Sequence, residues 1–108
     1  HGGGVFSILL ARMRHAWNQI PKMKETMPQD PGVYARRFFY DTVLFDQSAL
    51  RHVIHTFGAS QIVVGSDFPF VMGDTDPVGT VQQLGLDEAT LRAVLCENAA
   101  RFLGRAAD

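Results

Sequence analysis

Ile62-Val63-Val64-Gly65-Ser66-Asp67-Phe68-Pro69 is the stretch that decides the fold. Three consecutive β-branched apolar residues suit a strand buried on both faces, as in a parallel sheet covered by helices. Gly65 and Ser66 let the backbone turn sharply and Pro69 stiffens the exit, so Asp67 stands at the strand's C-terminal end. Upstream, Tyr40 to Phe45 reads as a second short strand, β-branched and aromatic. Between the two, Ser48 is placed to cap a helix with Leu50, Val53, Ile54 and Phe57 on its apolar face, and Gly58 is placed to stop it. Strand, helix, strand implies a right-handed crossover and parallel pairing.

Outside this unit the pattern is helical. Phe6, Leu9, Leu10, Met13 and Trp17 recur at spacings of three and four, predicting a helix over Val5 to Trp17 that Pro21 and the polar run Lys22 to Glu25 end. Thr26 to Gly32 reads as loop, and Val33 to Phe38 as a short helix with Asp30 as cap. Asp76-Pro77 opens a helix that Gly85 ends. Asp87 caps the last one, with Leu91, Val94, Leu95, Phe102 and Leu103 as its buried stripe, Cys96 as a small packed residue and Gly104 as its close. The class is therefore α/β. Two strands alone leave both sheet edges open, so the chain is expected to be incomplete on its own, or to complete its sheet with another copy of itself.

The 108 residues carry 10 Lys and Arg against 11 Asp and Glu, a formal charge of −1. That balance, with no basic run, argues against a nucleic-acid footprint. The apolar runs are far too short to span a bilayer, and no basic n-region marks a signal peptide. A single cysteine forms no internal disulfide, which suits the cytoplasm.

Chemistry concentrates in a few positions. Asp67, at a strand end, can bind a divalent metal or take a proton, since barrel enzymes gather reactive groups at that face; it equally suits capping a turn. His1 precedes Gly2-Gly3-Gly4 and a helix. The glycines allow close approach to a ligand, and histidine titrates near neutral pH; a tag is the other origin of a leading histidine. An esterase oxyanion hole also uses His-Gly-Gly-Gly, but no Gly-x-Ser-x-Gly elbow follows. Arg12 and Arg14 suit carboxylate recognition or simple solvation. His15, His52 and His55 share no ligand spacing and read as surface or rim residues. Asp41, at the start of its strand, could orient a neighbour or hold a loop, and is placed at the end where barrels keep stability.

Taken together, His1-Gly2-Gly3-Gly4, Leu10-Ala11-Arg12, Tyr40-Asp41-Thr42, Val64-Gly65-Ser66-Asp67-Phe68-Pro69-Phe70 and Glu97-Asn98-Ala99-Ala100-Arg101-Phe102-Leu103 resemble the amidohydrolase-related decarboxylases of the aminocarboxymuconate semialdehyde decarboxylase family. The resemblance covers nearly the whole chain but only the last third or so of a family member. It implies that residues 1–108 are the C-terminal portion of a TIM (β/α)8 barrel, from the end of the sixth strand to the final helix. It implies a catalytic His1, which activates a metal-bound water or protonates substrate carbon. Asp67 becomes a ligand of one divalent metal, commonly zinc, whose other ligands lie outside this chain. Arg12 becomes a residue that holds a substrate carboxylate across a dimer interface, and Phe70 a pocket residue. Ser7 stands where the family often has proline. The expected activity is non-oxidative decarboxylation of an unsaturated or aromatic carboxylic acid. Hydrolysis or hydration on the same barrel, or a non-catalytic self-associating fragment, remain readings of the same residues.

Overall fold

The computed structural model describes residues 1–105. It contains a parallel pair of strands, β1 (Tyr40–Asp41) and β2 (Ile62–Val63), in the register Tyr40 to Ile62 and Asp41 to Val63. Three helical segments precede them: α1 (Phe6–Gln19), α2 (Met23–Thr26) and α3 (Pro31–Ala35). The crossover is α4 (Gln47–Phe57), followed by a 3-10 turn (Ala59–Gln61). After β2 come α5 (Pro77–Gln82), then α6 (Glu88–Arg92) and α7 (Asn98–Phe102), joined through a wide π turn over Ala93–Glu97.

α4 follows its apolar stripe: Leu50, Val53 and Phe57 are buried, and Ile54 is half-buried. Phe57 anchors a stack of rings that joins three elements. Its ring lies 3.8 Å from that of Tyr40 on β1 and 5.6 Å from that of Phe6 on α1. Val81, Leu84 and Val94 continue this core beneath the sheet.

Several boundaries depart from the sequence reading. β1 stops at Asp41 instead of reaching Phe45, because the next backbone donors bond locally. The Asp41 carboxylate accepts from Val43 N–H at 2.9 Å, and Leu44 N–H donates to the Thr42 carbonyl at 2.8 Å. A side chain that offers the backbone this alternative competes with the ladder. Asp46, not Ser48, caps α4, accepting from Ala49 N–H at 2.7 Å. Lys22 to Glu25 does end α1, yet Met23–Thr26 makes its own helical turn. That turn is tied to α1 through Trp17, whose indole N–H donates to the Met27 carbonyl at 2.7 Å. The short helix with Asp30 as cap begins at Pro31 and is over by Ala35.

The last helical run is the largest correction. Val94 is buried, but Phe102 and Leu103, expected in the same stripe, are 65% and 61% exposed. The π turn adds one residue to a helical turn and so rotates everything beyond it by roughly 100°. Asn98 thereby takes the inward position in α7, and Cys96, inside the turn, faces solvent and not the core. The turn also serves the sheet, since the Val94 carbonyl accepts from Val64 N–H at 3.3 Å just beyond β2.

Candidate active site

Three chain segments meet at the C-terminal end of the strand pair. One is the turn His1–Gly4 ahead of α1. Gly2, Gly3 and Gly4 all have positive φ, between 54° and 79°. At two of them the close neighbour is protein, not ligand: a side chain on Gly2 would strike Leu44, and one on Gly3 would sit 2.8 Å from the Tyr40 ring. The turn therefore packs directly onto β1 and the segment after it, and this fixes where His1 stands.

The second segment is Asp41–Val43. Asp41 is the last residue of β1, so it lies at the end of the sheet that carries Asp67. The placement at the opposite, stability end is overturned, because the strand ends four residues earlier than its composition suggests. The third segment is Gly65–Asp67. A Cβ on Gly65 would lie 3.1 Å from the Asp41 Cβ and 3.2 Å from Val43 Cγ2. Its absence lets the two segments close up, and Gly65 N–H donates to the Thr42 hydroxyl at 3.1 Å.

The result is an imidazole bracketed by two carboxylates. His1 Nδ1 is 3.1 Å from Asp41 Oδ2, and His1 Nε2 is 3.1 Å from Asp67 Oδ1. The two carboxylates are held differently. Asp41 Oδ1 accepts from the backbone N–H groups of Gly2 at 3.2 Å and Val43 at 2.9 Å. Asp67, at a left-handed φ of 59°, is aimed at His1 by its backbone. All three side chains keep partial access to solvent, 46% for His1, 32% for Asp41 and 23% for Asp67. A ring with a carboxylate at each nitrogen can hold, orient and transfer a proton.

A recess of about 390 Å³ opens beside His1 and Asp41, walled by Phe6, Phe38, Phe39 and Tyr40. Tyr40 is a neutral donor there: burial pushes its hydroxyl up to about 12, and it donates to the Ala35 carbonyl at 2.7 Å.

Of the expected site residues, the structure brings His1 and Asp67 together. Phe70 lies in the exposed loop after Asp67, its N–H donating to the Asp67 carbonyl at 3.0 Å. Arg12 is on the exposed side of α1, roughly 9 Å along the axis from the helix start at 1.5 Å per residue. It makes no ion pair among the described residues. Its neighbour Arg14 pairs with Asp30 at 2.9 Å, a structural contact at the cap of α3. Sequence reasoning gave Asp41 only as a residue that could orient a neighbour or hold a loop, and did not place it beside His1. The signal was the Asp41-Thr42-Val43 order, in which an Asp side chain bonds its own backbone two residues on and turns the chain.

A mononuclear catalytic site of the zinc type takes three protein ligands. Among the described residues no group of three or more His, Cys, Asp or Glu is disposed to hold a metal ion. Asp67 can supply one oxygen donor; a complete donor set does not arise from the described residues by themselves.

A model of the amidohydrolase family matches residues 1–105. Two curated relatives are both named 2-amino-3-carboxymuconate-6-semialdehyde decarboxylase. That of Dictyostelium discoideum is 30% identical over 106 residues, covering 96% of this chain and 30% of its own length. That of Caenorhabditis elegans is 30% identical over 105 residues, 95% of this chain and 26% of its own. The chain thus spans less than a third of these relatives. A solved structure, the 5-carboxyvanillate decarboxylase of Sphingomonas paucimobilis, superposes with a TM-score of 0.77 at 23% identity, over 98% of this chain and 32% of that one. The fold is accordingly part of the amidohydrolase TIM barrel, an α/β arrangement of two parallel strands with flanking helices. No described helix is long and apolar enough to cross a membrane.

Proposed function

The chain belongs to the amidohydrolase family, and from that premise we propose that the intact protein is a metal-dependent decarboxylase acting on a small unsaturated or aromatic carboxylic acid. The observation that carries this reading is the bracketed His1 at the strand ends, 3.1 Å from each of Asp41 and Asp67. Decarboxylation breaks the bond between carbon and carboxylate, leaves the electron pair on carbon, and needs one proton there. His1 is the group placed to deliver it. The aromatic recess beside it suits a flat, conjugated acid. Lyase chemistry takes precedence over hydrolysis because both curated relatives are named decarboxylases.

Asp67 serves as one ligand of a divalent metal, for which zinc is the best match; the remaining ligands come from outside these 108 residues. When bound, such an ion supplies Lewis acidity and a lowered water pKa. In this reading residues 1–108 run from the end of the sixth barrel strand to the final helix. Two copies associate in the cytoplasm, so that the exposed Arg12 reaches a neighbouring site and clamps a substrate carboxylate. Phe70 lines the pocket from the loop after Asp67.

The test is Asp67→Ala in the intact protein, with metal content and CO₂ release measured together. Loss of both is expected. A variant that keeps stoichiometric metal would sink the assignment of Asp67 as a ligand.

A further inference from the structure

A second concentration of polar side chains lies away from His1, Asp41 and Asp67, in the groove where α1, α3 and α4 meet. Two recesses of about 290 and 310 Å³ adjoin there, sharing Leu10, Arg14, Arg36 and Thr56 as walls. Ser7, Leu10 and Arg14 fall at spacings of three and four on α1 and so present one face to the groove. His52, His55 and Thr56 do the same on α4. Arg36 enters from the C-terminal end of α3. Asp30 is the one carboxylate among the described residues that line the groove.

That carboxylate is already engaged. Asp30 accepts from Gly32 N–H at 2.7 Å, and Arg14 Nε lies 2.9 and 3.0 Å from its two oxygens. A Cβ on Gly32 would strike Asp30 Oδ1 at 2.8 Å, so the glycine leaves room for the carboxylate to fold back and meet Arg14. The pair uses Nε alone. The Arg14 guanidinium is thus held in place with its terminal nitrogens left for another acceptor. Arg36 forms no ion pair among the described residues. An imidazole N–H donates whether the ring is neutral or charged. Two guanidinium groups that face a common void repel each other, and an anion that bridges them relieves the repulsion.

We infer that this groove binds a small phosphate-type oxyanion, either the free ion or the phosphate group of a small ester. Arginine forks match phosphate oxygens bidentately. Donors arriving from three helices suit a tetrahedral group better than a flat, two-oxygen carboxylate. Leu10 and Val33 supply an apolar wall for the remainder of an ester. The inference stands apart from the decarboxylase reading and does not depend on it.

The test uses the intact protein and inorganic phosphate, with sodium chloride added to hold ionic strength constant. Saturable binding is expected, and the imidazole resonances of His52 and His55 are expected to move with it. Arg36→Gln is the decisive variant. The Arg36 side chain is exposed and makes no ion pair among the described residues, so the variant is expected to melt as the wild type does. Its phosphate affinity is expected to fall about tenfold, the lower end for a hydrogen bond between charged groups. Arg36→Lys is expected to recover part of that loss, since the charge returns without the fork. Arg51→Gln, on α4 but outside the groove, is expected to bind like the wild type. Glycerol 3-phosphate separates the two sources: tighter binding than the free ion marks an ester as the ligand, and equal binding marks phosphate itself. Phosphate binding that Arg36→Gln leaves unchanged puts the ion elsewhere and overturns the inference. An absence of saturable phosphate binding also overturns it; if Arg36→Gln then changes the mass of the assembly, the groove is a contact with an acidic surface of a second copy.

Discussion

Asn98→Leu tests how the barrel segment is held together beneath the site. Asn98 is 1% exposed, and its side-chain amide donates to two carbonyls, Ala59 at 2.8 Å and Ile62 at 2.7 Å. It is the pin between the last helix and the start of β2. Leucine has the same number of side-chain heavy atoms and the same branch point but is bulkier and apolar, so the perturbation removes the donors and adds some overpacking, which costs about 1–3 kcal/mol. The Ile62 residue is fully buried, and its carbonyl then loses its partner at the upper end of the usual ~1–3 kcal/mol cost. The Ala59 residue is half-buried and its carbonyl can find water, which puts it at the lower end. Burial of the leucine side chain returns about 1.5–3 kcal/mol. The net expectation, with overpacking included, is a loss of about 2–5 kcal/mol. Urea unfolding of the intact protein reads it directly, provided the denaturant slope is unchanged. Asn98→Asp, which keeps the shape but sets an anion against the same carbonyls, is expected to cost more. A leucine variant within about 0.5 kcal/mol of the wild type, the range of an ordinary surface change, refutes the idea that the amide pins helix to strand.

Tyr40→Phe is expected to cost about 1 kcal/mol, because the ring stack on Phe57 survives while the buried Ala35 carbonyl loses the closer of its two donors and keeps only the Phe38 N–H at 3.4 Å. The same residue sets a pH limit. Burial raises its pKa from 10.0 to about 12, so its contribution is complete below pH 10 and is lost as pH rises through that window; unfolding followed across it should steepen for the wild type and flatten for Phe. Gly65→Ala sets a methyl 3.1 Å from the Asp41 Cβ and 3.2 Å from Val43 Cγ2, so it is expected to push Asp67 away from His1 and lower kcat by at least about tenfold; an unchanged kcat would mean that the two segments need not be so close.

Much of the scaffold was legible because local chemistry and tertiary packing agree. The α4 stripe reads correctly since each of its apolar positions meets the core, and the run at Ile62 reads as a strand for its first two residues, after which Val64 N–H leaves the ladder for the Val94 carbonyl. Where side chains offered the backbone a rival partner, the reading failed. Asp41 bonded Val43 and ended its strand early, and Asp46 outbid Ser48 as a cap two residues sooner. The π turn is harder still to read: Ala93–Glu97 has an ordinary helical composition, and only the demand that Asn98 reach the Ala59 and Ile62 carbonyls shows why the helix changes phase there.

The site divides along the same line. His1 and Asp67 are visible in sequence because each sits in a motif whose glycines announce a sharp turn. Asp41 has no such marker, and its part depends on contacts with residues 40 positions earlier and 24 later. The strand that ends at Asp41 is short for the same reason that Asp41 is useful: the carboxylate that diverts the backbone at Val43 is the one that grips Gly2 and faces the His1 ring. The departure of β1 from its sequence pattern thus marks the place where regular structure yields to the site. Arg12 is the opposite case. It is plain in sequence as a helix arginine, yet its side chain stands in solvent, and any partner for it in the proposed assembly must come from a second surface.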